Sequence, residues 1–123
     1  MSEKTILVVD DDIGIRLMMQ KLLGSAGYRV ITGEEGQSAV EAALDQRPDL
    51  VITDMDMPVT DGYKTIQMFR RDSEFQAPVI VVSGVVGPRD AQMVLDAGAS
   101  AFFPKPVDHA ALLAKVSELL TEG

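Results

Sequence analysis

The sequence predicts an α/β fold, with a doubly wound, five-stranded parallel sheet of strand order 2-1-3-4-5 in a three-layer sandwich. Short apolar runs alternate with longer stretches of helical periodicity five times along the 123 residues. Three of these runs are continuously apolar, which is typical of strands buried on both faces. The predicted strands are Ile6–Val9, Arg29–Thr32, Leu50–Thr53, Val79–Val82 and Ala101–Phe103.

The first and last predicted helices have the clearest periodicity. Apolar residues recur at helical spacing over Ile15–Ala26, with Asp12 as the predicted N-cap and Gly27 as the stop. Leucine and valine recur in the same way over Leu112–Leu120, after a predicted cap at Asp108. Weaker helical patterns cover Gln37–Gln46, Tyr63–Arg71 and Asp90–Ala97.

Composition limits the classes of function. The chain has 11 basic and 19 acidic residues, a net charge of −8, which argues against a nucleic-acid interface of its own. It has no cysteine, which excludes disulfides and thiolate metal sites. Features of a signal peptide are absent, and no apolar run approaches the ~20 residues of a membrane span. We therefore expect one cytoplasmic domain over residues 1–123, without membrane insertion or direct nucleic-acid contact.

Polar residues follow four of the predicted strands. Asp10 and Asp11 end the first run and Asp54 ends the third, while Ser83 follows the fourth run and Lys105 follows the fifth. The carboxyl ends of parallel strands share one edge of a sheet, so these groups should meet there. A cluster of carboxylates is costly unless it holds a cation, and Mg²⁺ accepts few carboxylates together with a phosphate oxygen. Because a carboxylate can also attack phosphorus, this edge suits phosphoryl transfer to an aspartate.

The identity and order of these residues along the chain resemble those in the receiver domain of two-component response regulators. The resemblance extends along the whole chain, and it implies a (βα)5 flavodoxin-like fold and a switch that phosphorylation activates. The matching pieces are Asp10-Asp11, Asp54 with the following Met55-Asp56-Met57-Pro58, Asp61-Gly62, Ser83 and Lys105-Pro106.

The resemblance implies a phosphoacceptor and a metal site. Asp54 would accept a phosphoryl group from the phosphohistidine of a histidine kinase or a histidine phosphotransfer protein. Mg²⁺, with Mn²⁺ as an alternative, would be bound directly by Asp11 and Asp54. Asp10 would act through a water molecule, and the backbone carbonyl of Asp56 would be the remaining protein ligand. The protein would catalyse only its own phosphotransfer and autodephosphorylation, and would not be an enzyme acting on other substrates.

The resemblance also implies a conformational switch. Ser83 and Lys105 would hold the phosphoryl oxygens, and the peptide bond between Lys105 and Pro106 would be cis. Phe102 stands where tyrosine is common in the family, so it would respond by burial alone, without a hydroxyl group. The fourth helix, fifth strand and fifth helix would form the output surface. With no output domain expected in the chain, a monomer or weak dimer would act on an unknown downstream protein.

Two other functions share parts of this pattern. Asp54-Met55-Asp56 superficially fits the nucleophile and acid of haloacid dehalogenase-type phosphatases. In 123 residues we expect no room for a substrate cap, and the paired acids precede the nucleophile instead of following it. A flavin-binding module on the same fold needs a Ser/Thr/Gly-rich phosphate loop after the first strand, where this chain has Asp10-Asp11-Asp12. His109, the single histidine, is more consistent with a solvated surface position than with catalysis.

Overall fold

The computed structural model describes residues 4–10, 12–33, 45–54, 77–84, 92, 94–96 and 98–121. One five-stranded parallel sheet lies at its centre, in the order β2-β1-β3-β4-β5, so the predicted strand order is confirmed. Its strands are β1 (Thr5–Val9), β2 (Arg29–Gly33), β3 (Leu50–Asp54), β4 (Val79–Ser83) and β5 (Ala101–Pro104).

Two helices are described from end to end, namely α1 (Ile13–Ser25) and a C-terminal helix (His109–Thr121). Residues 45–46, 92 and 94–96 are also helical, in agreement with parts of two weaker predicted patterns, Gln37–Gln46 and Asp90–Ala97. The predicted helix Tyr63–Arg71 and most of Gln37–Gln46 lie outside the described residues. Within the described part of the chain, no helix has the length and apolar character needed to cross a membrane.

Apolar side chains alternate between the two faces of the sheet and build a core on each face. Met19 and Leu23 of α1 pack with Leu112 and Val116 of the C-terminal helix against one face. Full burial of each such side chain contributes about 1.5–3 kcal/mol. The sheet residues of that core are Ile6, Val8, Leu50, Ile52, Ile80, Val82 and Ala101. The core on the other face contains Leu7, Val9, Val51, Val79, Val81 and Val94.

Side-chain caps fix where the two helices begin. Asp12 has extended backbone dihedrals, and its Oδ1 accepts hydrogen bonds from the backbone N–H of Gly14 (2.8 Å) and Ile15 (3.4 Å). Asp108 Oδ1 accepts from the N–H of Ala111 at 3.1 Å. Each bond satisfies a donor that the first helical turn leaves without an intrahelical partner, so both predicted caps are confirmed. After α1 the chain turns at Gly27, whose φ of 99° favours glycine.

Strands β3 and β4 extend one residue beyond the predicted apolar runs. They therefore include Asp54 and Ser83 as their last residues. Backbone pairing continues past the apolar side chains because Asp54 lies opposite Val82, and Ser83 lies opposite Pro104. The polar side chains consequently project from the rigid ends of central strands, which fixes their positions better than a loop would.

Candidate functional site at the carboxyl ends of the strands

Strand register brings Asp10 and Asp54 to the same edge of the sheet. Val9 of β1 pairs with Thr53 of β3, so the two aspartates are the next residues on adjacent strands. Both side chains are enclosed, since each aspartate is only 3% exposed. Carboxylates at adjacent strand positions repel each other in a poorly solvated site, and a positive charge offsets that repulsion.

Lys105 supplies a positive charge to this pair. Its Nζ donates a hydrogen bond to Asp54 Oδ1 at 3.1 Å and lies 3.9 Å from Asp10 Oδ2. The backbone N–H of Lys105 donates to the carbonyl oxygen of Ser83 at 2.9 Å, which extends the pairing of β4 with β5 by one step. The lysine side chain is 22% exposed, so part of it is in contact with solvent, whereas the Asp54 side chain is 3% exposed.

Asp10 is held through both its backbone and its side chain. Its N–H donates to the carbonyl oxygen of Gly33 on β2 at 3.1 Å. Its Oδ1 accepts from the N–H of Asp12 at 2.8 Å, and its carbonyl oxygen accepts from Arg16 Nη1 at 2.6 Å. The orientation of this carboxylate is therefore set by the turn between β1 and α1, in addition to its contact with Lys105.

The contact of Arg16 with Asp10 was not predicted from the sequence. One signal was present, because this arginine follows the predicted cap Asp12 by four residues, one helical turn further along α1. Its backbone N–H donates to the carbonyl oxygen of Asp12 at 3.1 Å. Its side chain must reach back past the helix N-terminus to contact Asp10, and a sequence does not specify that rotamer.

Ser83 and Phe102 occupy the positions expected from the strand assignments. Ser83 is the last residue of β4 and is 2% exposed. In the strand register it lies one residue beyond Val82, which pairs with Asp54. Phe102 is half-buried on β5 and packs against the core that contains Val94. Val94 belongs to the helical residues 94–96. The peptide bond between Lys105 and Pro106 is cis, as predicted.

The donor set is compatible with a hard divalent cation. Asp10 and Asp54 present oxygen atoms to one ammonium group, so the pair already favours a positive charge in front of it. Oxygen ligands from few carboxylates are what Mg²⁺ prefers. Two further predicted ligands, Asp11 and the carbonyl of Asp56, lie outside the described residues. Among the residues that are described, no group of three or more His, Cys, Asp or Glu side chains could hold a metal.

Comparison with known proteins shows that the chain is similar to response regulators. The family model for the response regulator receiver domain matches residues 6–117. The chain is 34% identical over 119 residues to a probable transcriptional regulator, ycf27, of Cyanophora paradoxa, a match covering 97% of this chain and 49% of the relative. The chain spans about half the length of the curated relatives that it matches.

Solved structures show the same similarity. The chemotaxis protein CheY4 of Vibrio cholerae is 31% identical, with a TM-score of 0.88, and the match covers 97% of this chain and 100% of that one. The signal receiver domain of a signal transduction histidine kinase from Syntrophus aciditrophicus is also 31% identical, with a TM-score of 0.87. That match covers 97% of this chain and 91% of the other.

Proposed function

This chain belongs to the response regulator receiver domain family, and we propose that it is a phosphorylation-activated switch whose phosphoacceptor is Asp54. The main support is the contact between Lys105 Nζ and Asp54 Oδ1 at 3.1 Å, in a site where the aspartate is almost fully enclosed. An ammonium at this position can pair with the carboxylate before transfer and with a phosphoryl oxygen afterwards. The same contact favours Asp54 over the other described aspartates as the proposed phosphoacceptor.

The proposed donor is a phosphohistidine on a histidine kinase or a histidine phosphotransfer protein. A carboxylate oxygen of Asp54 forms a bond to phosphorus while the bond from phosphorus to the imidazole nitrogen breaks. The nitrogen leaves with the electron pair, and the product is an acyl phosphate. Charge on the three peripheral oxygens of the transferring group must be met by cations and hydrogen-bond donors. When bound, Mg²⁺ supplies part of that positive charge.

The residues around Asp54 would divide the remaining tasks. Lys105 would pair with the Asp54 carboxylate before transfer and with a phosphoryl oxygen after it, because its ammonium needs to move only a short distance between the two. Asp10 holds the cation through a water molecule, while Asp11 and the carbonyl of Asp56 are the proposed direct ligands beside Asp54. The residues that the structure describes support this division through the enclosure of Asp10 and its distance of 3.9 Å from Lys105.

Ser83 and Phe102 would transmit the change. Ser83 stands at the end of β4, next to the strand that carries Asp54, which supports a role for its hydroxyl in binding a phosphoryl oxygen. That bond would draw the segment after β4 toward the site. Phe102, half-buried on the neighbouring strand, would then turn into the space that opens, and the fourth helix, β5 and the C-terminal helix would form the altered surface. Phosphate shifts such an equilibrium only by binding the two states unequally.

The direct test is chemical phosphorylation of the purified chain. Incubation with acetyl phosphate and Mg²⁺ should add the mass of one phosphoryl group to the intact protein, and Asp54→Asn should abolish the addition. Asp12→Asn is the matched control, because it removes the charge of an exposed helix cap close to the same edge. Unchanged labelling of Asp54→Asn would exclude Asp54 as the acceptor. Sustained turnover of p-nitrophenyl phosphate would instead favour a phosphatase.

A further inference from the structure

We propose that Arg16 is a positioning residue for the cation site, which it serves by holding the turn that orients the Asp10 carboxylate. This inference rests on the proposed function, since it assumes that Asp10 contributes to cation binding. Arg16 itself would touch neither the cation nor the phosphoryl group. It would act through the Asp10 carbonyl oxygen, which accepts from Arg16 Nη1 at 2.6 Å.

A closed set of hydrogen bonds connects Asp10, Asp12 and Arg16. The N–H of Asp12 donates to Asp10 Oδ1 at 2.8 Å, and the N–H of Arg16 donates to the carbonyl oxygen of Asp12 at 3.1 Å. The Arg16 side chain then returns to the carbonyl oxygen of Asp10. Each residue is therefore bonded to the other two, and the turn between β1 and α1 is fixed at both of its ends.

This arrangement gives the two oxygens of the Asp10 carboxylate different roles. Oδ1 is directed at the backbone N–H of Asp12, whereas Oδ2 is the oxygen near Lys105 Nζ, at 3.9 Å. The carboxylate consequently presents Oδ2 to the side of the site where Asp54 lies. Asp10 is only 3% exposed, so loss of the hydrogen bond from Arg16 to its carbonyl oxygen carries a desolvation cost. A rearrangement of the turn that gives this oxygen another donor would reduce that cost.

The position of Arg16 on α1 also favours a local task. The arginine is the fourth residue of the helix, close to the N-terminal end, where the helix dipole disfavours positive charge. Simple helix stability would favour an acidic or neutral residue there. Arg16 is half-buried, and its guanidinium donates a charge-assisted hydrogen bond to the backbone carbonyl of Asp10, which offsets that cost.

Electrostatics alone and positioning predict opposite effects on cation binding. Removing a positive charge near a cation site should strengthen Mg²⁺ binding, because a repulsive interaction is lost. If Arg16 positions Asp10, its removal should weaken Mg²⁺ binding even though the site becomes more negative. Partners that orient metal ligands typically change metal affinity by roughly 10–100-fold when they are mutated.

The experiment is a Mg²⁺ titration of the ¹⁵N-labelled chain, followed by amide chemical shifts, for wild type, Arg16→Gln and Lys21→Gln. Lys21 is an exposed residue of the same helix, so its substitution removes the same charge at a greater distance from Asp10. We expect the Kd of Arg16→Gln to rise about tenfold. The Kd of Lys21→Gln should stay within a factor of about two of wild type, because an exposed charge is largely screened. Arg16→Lys keeps a donor without the planar guanidinium, and its Kd should lie between those of wild type and Arg16→Gln.

A Kd for Arg16→Gln that equals or falls below that of Lys21→Gln would overturn the positioning role. Far-UV circular dichroism establishes whether Arg16→Gln folds. If it does not, Arg16→Lys decides in the same way, because a Kd at or below that of Lys21→Gln would refute the proposal. Failure of the proposed function is a separate outcome, since wild type would then show neither saturable Mg²⁺ binding nor labelling by acetyl phosphate.

Discussion

Replacing Lys105 with methionine should destabilise the fold by about 2–4 kcal/mol when no divalent cation is present. At an effective dielectric constant of about 20, the gross attraction of Lys105 Nζ is about 5 kcal/mol for Asp54 Oδ1 at 3.1 Å and about 4 kcal/mol for Asp10 Oδ2 at 3.9 Å. Much of this gain is offset by desolvation, because the Lys105 side chain is only 22% exposed. Methionine keeps the apolar stem, so the loss measured is chiefly that of the charge.

Mg²⁺ should reduce this loss. Without Lys105, Asp10 and Asp54 are left as enclosed carboxylates that repel each other, and a divalent cation offsets that repulsion in place of the ammonium. Saturating Mg²⁺ should therefore stabilise Lys105→Met more than it stabilises wild type. The difference in unfolding free energy between the two proteins should fall below half of its value without metal.

Urea unfolding followed by far-UV circular dichroism measures both quantities. The chain has no tryptophan and only two tyrosines, so fluorescence is the weaker probe. Lys115→Met is the matched control, because Lys115 pairs with Glu118 at 3.3 Å in an exposed position and should contribute less than about 1 kcal/mol. If Lys105→Met were as stable as Lys115→Met without metal, or if Mg²⁺ stabilised wild type and Lys105→Met equally, Lys105 would not be the cation that offsets the charge of Asp10 and Asp54.

The remaining predictions concern the elements that support the site, and the same unfolding assay checks them. Asp12→Ala removes the acceptor for the N–H groups of Gly14 and Ile15 and should cost about 1 kcal/mol, whereas an unchanged midpoint would show that another group caps the helix. Leu112→Ala leaves a cavity at a fully buried position against one face of the sheet and should lower the free energy of unfolding by about 2–5 kcal/mol. The half-buried neighbour Leu113 provides its control, and an equal loss for Leu113→Ala would contradict the burial pattern.

Most of the fold followed from the sequence, because its main determinant is the alternation of apolar runs. Residues such as Val79–Val82 are apolar at every position, and only a strand covered on both faces needs that pattern. Strand ends were less predictable. Asp54 and Ser83 belong to strands because their backbones remain paired, although their side chains are polar.

The start of β1 illustrates the same limit on prediction. Thr5 begins the strand, although the predicted run began at Ile6. Its N–H donates to Asp49 Oδ2 at 2.7 Å, and its carbonyl oxygen accepts from the N–H of Asp49 at 2.7 Å. The two residues are far apart in the chain, and hydrophobic periodicity carries no information about a reciprocal pair of this kind.

The candidate site was predictable in part. The topological rule for parallel sheets placed Asp10, Asp54 and Lys105 at one edge, and the structure brings them together there. The contact of Arg16 with Asp10 was not predictable, because it depends on a side chain that turns back over its own helix end. The assignments of Asp11 and Asp56 as metal ligands stay predictions, since both residues lie outside the described part of the chain.

Phosphorylation of Asp54 is tested most directly by locating the phosphoryl group after treatment with acetyl phosphate and Mg²⁺. Borohydride reduces an acyl phosphate of aspartate to homoserine, which marks the acceptor permanently, and tandem mass spectrometry of the peptides then identifies its position. The proposed function predicts homoserine at position 54, dependent on Mg²⁺ and absent from the untreated chain. Homoserine at another aspartate, or none in a chain that carries the added phosphoryl mass, would contradict the proposal.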